Sequence, residues 1–135
     1  MKKVFLGGTC NGSKWREELI PLLNIDYFNP VVENWTQECQ QEEIKQRKEC
    51  DYCLYVITPS MTGVYSIAEV VDDSNKRPEK TIFCYLDVVE DGKFFNSHQK
   101  KSLFQVGCVV VDNGGISYTC LEQVARYLNN KEETE

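Results

Sequence analysis

Apolar residues along the chain fall into short clusters whose spacing switches repeatedly between strand-like and helix-like, and that switching predicts the fold. Residues 3–6 (KVFL) form a brief apolar run stopped by Gly7-Gly8, which reads as a buried strand. Trp15, Leu19, Leu22 and Leu23 then recur at helical spacing. Ser13 sits where an N-cap belongs, Glu17 and Glu18 occupy the first turn, and Pro21 kinks or shortens the helix end. Residues 24–28 predict a second strand, closed by Asn29-Pro30. Thr36 caps a helix over 37–48 that is polar apart from Cys39 and Ile44, and such a helix belongs on the surface. Residues 52–58 (YCLYVIT) are apolar on both faces, as a central parallel strand requires. A turn-rich loop over 59–63 leads into a helix from about 65 to 75, with Ile67, Val70 and Val71 as its inner face. Residues 81–86 (TIFCYL) predict a fourth strand, 87–92 an acidic turn, and 94–104 a short helix with Phe95, Leu103 and Phe104 inward. Residues 108–111 (CVVV) predict the fifth strand. After Asn113-Gly114-Gly115 a last helix runs from about 117 to 129 on Leu121, Val124 and Leu128.

Strands alternating with helices, joined by right-handed crossovers, predict an α/β flavodoxin-like three-layer sandwich with a five-stranded parallel sheet in the order 2-1-3-4-5. One domain covers 1–130, and 131–135 is a charged tail. In that strand order the chain reverses direction between the first and third strands, and ligands bind outside the carboxyl ends of strands at such a point. The site is therefore expected between the loops at 7–13 and 59–66.

Charge and cysteine content narrow the chemistry. A formal net charge of −6 disfavours a nucleic-acid partner, which needs a clustered positive field. No apolar stretch approaches a membrane span or a signal-peptide core, so the expected compartment is the cytoplasm, where the seven cysteines are free thiols. Cys50 and Cys53 form a C-x-x-C, but a zinc site needs a second ligand pair and the chain has a single histidine, His98. These thiols are expected in or beside the sheet, with no metal and no cofactor.

The first loop, Gly7-Gly8-Thr9-Cys10-Asn11-Gly12-Ser13, offers glycines, hydroxyls and an amide between a strand and a helix. It is neither a Walker A motif nor a dinucleotide fingerprint, and it fits plain turn chemistry as well as a sugar or phosphate contact. In the second segment, Glu69 shares a helix face with Tyr65 and Ser66 near the loop end. Its carboxylate either projects into the crevice or closes a capping box with Ser66.

Val4-Phe5-Leu6-Gly7-Gly8, Phe28-Asn29-Pro30, Glu49-Cys50-Asp51-Tyr52 and Gly63-Val64-Tyr65-Ser66-Ile67-Ala68-Glu69 together resemble the nucleoside 2-deoxyribosyltransferase family, including the related deoxynucleotide N-glycosidases. The resemblance implies cleavage or transfer of the N-glycosidic bond of a nucleoside or nucleotide, a small-molecule partner. It implies Glu69 as nucleophile and Asp51 as the group that binds ligand or protonates the departing base. It also implies contacts to substrate from Gly7, Gly8, Thr9, Asn11, Asn29, Gly63 and Ser66. Family members commonly carry a first-strand tyrosine that positions the nucleophile, and here that place is Phe5. Two alternatives stay open: a catalytically inactive nucleotide-binding module of the same fold, and a glycohydrolase acting on an NAD-type dinucleotide. The family's tendency to oligomerise makes a homo-oligomer an expectation, with Trp35 and the polar helix as a candidate contact.

Overall fold

The computed structural model describes residues 1–10 and 12–130. Five parallel strands, β1 (Lys3–Gly8), β2 (Asp26–Phe28), β3 (Tyr52–Ile57), β4 (Thr81–Tyr85) and β5 (Ile116–Tyr118), pair in the order β2-β1-β3-β4-β5. Five α-helices connect and cover them: α1 (Trp15–Leu19), α2 (Gln37–Glu49), α3 (Tyr65–Lys76), α4 (Ser97–Asp112) and α5 (Leu121–Asn130). This is the flavodoxin-like sandwich and strand order that the alternating pattern predicts. The expected tail at 131–135 lies outside the described residues.

Side-chain alternation along the strands divides the core in two. Val4, Leu6, Leu54 and Val56 pack with Trp15, Leu19, Val124 and Leu128 on one face of the sheet. Phe5, Tyr55, Ile57 and Phe83 pack with Val70, Leu103 and Val110 on the other. β3 is buried at every position, as its two-sided apolar sequence requires. β1 pairs with it along its length up to Gly8. A Cβ on Gly8, whose φ is +122°, would fall 2.0 Å from the Val56 carbonyl oxygen, so only glycine fits where the strand meets its loop.

Pro21 ends α1 as expected, in a 3-10 turn over Ile20–Leu22. Ser13 is not its cap: the N-cap position is Lys14, without a side-chain bond, and Ser13 points elsewhere. Thr36 does cap α2, accepting the Cys39 N–H at 3.2 Å.

The largest correction concerns residues 94–118. The CVVV segment predicted as the fifth strand is the C-terminal part of α4, which runs from an Asn96–Gln99 capping box to Asp112. Leu103, Val106, Gly107 and Val110 recur at i, i+3, i+4 and i+7, and that helical stripe overrides the β-propensity of three successive valines. Val109 and Val111 are left on the exposed side. Gly114, with φ +107°, ends the helix: its N–H bonds to Val111 O at 2.9 Å and that of Gly115 to Val110 O at 2.8 Å, a Schellman arrangement. The edge strand is instead Ile116–Tyr118, and α5 begins at Leu121 rather than near Ser117.

Cys50 and Cys53 are buried free thiols beside the sheet. Burial pushes the Cys53 thiol up to about 12, so it stays protonated, and it donates to Arg47 O at 3.1 Å. No helix among the described residues is long and apolar enough to cross a membrane.

Candidate active site

α2 is polar nearly all round, yet one stripe of it is spoken for. Gln40, Glu43, Ile44 and Arg47 fall at i, i+3, i+4 and i+7, on one side of the helix, and all four line a cavity of about 360 Å3 at the carboxyl end of β1. Phe5, Gly7 and Gly8 form its floor, the 30–35 segment closes one side, and Tyr65, Ser66 and Glu69 of α3 close the other. The volume suits a small organic ligand. A larger groove of about 690 Å3 between α3 and α4 is almost wholly apolar, and its single imidazole, His98, lies on the exposed start of α4.

Glu69 is the buried carboxylate of the cavity, 8% exposed. It is not consumed by a cap: the N-cap of α3 is Val64, with no side-chain bond, so the Ser66–Glu69 capping box is absent. One Glu69 oxygen lies 3.6 Å from Arg47 Nη1. Burial pushes Glu69 up to about 7 despite that guanidinium, with Glu43 and Asp73 adding to the rise. Arg47 is the main group opposing that rise, and it is itself shared with two further carboxylates. Nε and Nη2 of Arg47 donate to Asp73 at 3.2 and 2.9 Å, and Nη2 also reaches Asp72 at 3.1 Å. Asp73 is fully buried, and it further accepts the Tyr55 hydroxyl at 2.5 Å and an ion pair from Arg77. Burial and the Asp73 charge push the Tyr55 phenol far up, so it remains a neutral donor. Sequence spacing assigns α3 an inner face of Ile67, Val70 and Val71; the structure buries Glu69, Asp73 and Ser74 there as well.

The glycine loop of β1 is pinned from two sides. Arg16, 6% exposed and stacked on the Trp15 indole at 4.4 Å, donates to the carbonyls of Leu6 at 3.1 and 2.9 Å and of Thr9 at 2.8 Å. Burial lowers the Arg16 pKa, opposed by Cys10 and Glu43. From the far side, Glu90 sits on a two-residue hairpin turn in which Asp91 and Gly92 have φ of 53° and 74°. Its carboxylate accepts Ser13 Oγ at 2.8 Å, Thr58 Oγ1 at 2.6 Å and Ser60 Oγ at 2.8 Å. Burial works to raise Glu90, and these donors outweigh it and lower its pKa. Glu90 thus ties Ser13 of the first loop to Thr58 and Ser60 of the second, and the open cavity beside it is lined by Gly7, Gly8 and Cys10 on one side and Tyr65 and Ser66 on the other. Glu90→Ala is expected to destabilise the fold by about 1–2 kcal/mol at neutral pH. A depressed carboxylate contributes stability above the unfolded pKa and loses it as pH falls through the folded one. Urea midpoints of wild type and Glu90→Ala should therefore converge in strong acid.

Of the sequence-derived residues, Gly7, Gly8, Ser66 and Glu69 meet at one cavity. Thr9 is buried and structural, its Oγ1 accepting the Thr58 N–H at 3.0 Å. Asn29 lines a neighbouring recess of about 220 Å3 that shares Cys10, Arg16 and Val31 with the main cavity. Gly63 is outside the cavity lining, and Asn11 lies outside the described residues. Asp51 is not brought to Glu69. It precedes β3, so it sits at the amino end of the sheet, about 20 Å of strand from the carboxyl end. There it accepts the Lys3 N–H at 2.8 Å. Arg47, Glu43, Asp73 and Glu90 escaped the sequence reading, which names Trp35 as a candidate subunit contact rather than a cavity residue. The one signal for the first two was the i, i+3, i+4, i+7 stripe on a helix otherwise without a buried side.

Neither curated proteins nor solved structures yield a significant match to this chain. The family model described as nucleoside 2-deoxyribosyltransferase like matches residues 1–88, which hold β1, the α2 stripe, β3 and Glu69. The chain belongs to the nucleoside 2-deoxyribosyltransferase-like family.

Proposed function

We propose that the protein cleaves the N-glycosidic bond of a deoxynucleoside or deoxynucleotide, with Glu69 as nucleophile. The observation that carries this reading is a buried carboxylate opening on a ligand-sized cavity, held by a guanidinium whose charge is already balanced by Asp72 and Asp73. In the reaction a Glu69 oxygen attacks the anomeric carbon, the bond to the base nitrogen breaks, and the base leaves with the electron pair. Arg47 orients the carboxylate, the part that a first-strand tyrosine plays in the family. Phe5 cannot play it, being packed against the Phe28 and Tyr55 rings at 5.9 Å. Trp35 and Tyr65, both well exposed at the rim, provide faces on which a base can stack.

The test is base release from a panel of deoxynucleosides, deoxynucleotides and NAD, read across pH. Because Glu69 must be ionised to attack and burial pushes it up to about 7, the rate of the first turnover should climb through that pH and level off above it. Release from NAD alone would move the substrate class to dinucleotides. No release from any compound, with nucleotide-dependent thermal stabilisation, would assign a binding module.

A further inference from the structure

Glu90 lies beyond residues 1–88, the segment that the family model matches, and the chemistry at Glu69 makes no use of it. Its carboxylate is surrounded by donors from both loops at the carboxyl ends of β1 and β3. Oε1 accepts Thr58 Oγ1 at 2.6 Å and Ser60 Oγ at 2.8 Å, and Oε2 accepts Ser13 Oγ at 2.8 Å and the Lys14 N–H at 3.4 Å. A hydroxyl has one proton to give, so those of Ser13, Thr58 and Ser60 are committed to Glu90. Hydroxyls and a backbone N–H converging between these two loops form a set suited to an oxyanion of a ligand, and here a carboxylate of the chain itself holds it. The charge is not cancelled. Its donors are neutral and lower its pKa, and among the described residues no cation forms an ion pair with it.

This set borders the cavity. The Thr58 N–H donates to Oγ1 of Thr9, the residue after cavity-floor Gly8. Ser13 lines the recess of about 220 Å3 that shares Cys10, Arg16 and Val31 with the main cavity. Glu17 adds a second carboxylate to that recess. Arg16 brings a cation, but its guanidinium is bonded to the carbonyls of Leu6, Gly8 and Thr9.

We propose that Glu90 is a specificity-determining residue that excludes nucleotides, so that the substrate is a nucleoside with an uncharged 5′-hydroxyl. This rests on the reading of Glu69 as nucleophile. With the anomeric carbon at Glu69 and the base at the Trp35–Tyr65 rim, the 5′ end of the sugar is directed toward Ser13, Thr58 and Ser60. A 5′-phosphate there meets a fixed like charge and finds the hydroxyl protons already given away. A 5′-hydroxyl meets no such repulsion.

The experiment measures kcat/KM for base release from each common deoxynucleoside and from its 5′-monophosphate. Wild type is compared with Glu90→Ala and Glu90→Gln at a temperature where circular dichroism shows all three folded. Wild type should favour the nucleoside by about 10²-fold or more. Glu90→Ala removes the charge and frees the hydroxyls, so the preference should shrink by about tenfold or more through a gain on the monophosphate. Loss of folding cannot produce such a gain. Glu90→Gln removes the charge but keeps the space filled, and should fall between the two. A wild type that cleaves a monophosphate as well as its nucleoside overturns the proposal, as does a preference left unmoved in folded Glu90→Ala. Both outcomes leave Glu69 as nucleophile intact. A wild type that releases no base removes the glycosidase reading instead, and the exclusion is then read from the dissociation constants of the same pairs by calorimetry.

Discussion

Glu69→Gln is expected to lower base release by about 10³-fold or more while making the protein more stable at neutral and alkaline pH. The two effects have one cause. The carboxylate is 8% exposed and its surroundings push it up to about 7, above the ordinary glutamate value of 4.5. Below the unfolded value both states hold the proton and the site costs nothing. As pH rises toward 7 the unfolded chain releases its proton and the folded chain does not, so stability falls across that window and stays lower above it. Glutamine keeps the shape and removes the charge, recovering about 1–3 kcal/mol at pH 8 and close to none at pH 4. Urea denaturation at those two pH values, beside base release at pH 8, checks both halves. A folded variant that keeps turning over would remove Glu69 from the chemistry, and one less stable than wild type at pH 8 would overturn the stability half.

That coupling also explains which parts of the site were legible in the sequence. The alternation of strands and helices follows from local information where a strand carries its own apolar run, as β1, β3 and β4 do, whereas β5 (Ile116–Tyr118) carries none. Gly7-Gly8 is legible because it borders a strand end that the switch-point rule singles out, whereas for Glu69, inside the following helix, spacing leaves a cap and a cavity carboxylate open and only the resemblance implies a site role. The site role that the resemblance implies for Asp51 runs against that rule, since the start of a parallel strand and its end lie on opposite edges of the sheet. The CVVV segment misled because three β-branched residues in a row imitate a strand, whereas the stripe continuing from Leu103 to Val110 spans a longer window. What could not be read is the partner of each polar side chain. Arg47 finds Asp73 26 positions along the chain, and Glu90 finds Ser13 77 positions away. No periodicity encodes such pairs; they follow only once the helices are docked.

The Arg47–Asp73 pair carries the second large effect. Asp73 is fully buried and takes two bonds from Arg47, one from Tyr55 and an ion pair from Arg77. Asp73→Ala should destabilise the protein by about 3–5 kcal/mol, because it strips the buried Arg47 guanidinium of two bonds, removes the Arg77 ion pair and leaves the Tyr55 phenol without its acceptor. Against a typical domain stability of about 5–15 kcal/mol, that lowers the melting temperature by roughly 10 °C or more. Tyr55→Phe removes a single donor and leaves both arginines satisfied, so it should cost only about 1 kcal/mol. Asp73→Asn separates the structural role from the catalytic one. It keeps the volume and an acceptor but withdraws the charge that neutralises Arg47. Arg47 keeps its contacts with Asp72 and Glu69, and the like-charge push from Asp73 is gone, which lowers the Glu69 pKa. The acid limb of first-turnover base release should move to lower pH in this variant, at a temperature where it remains folded. A stability loss with an unmoved acid limb would make Asp73 a fold-holding residue only, its charge adding nothing at Glu69 to the rise that burial causes.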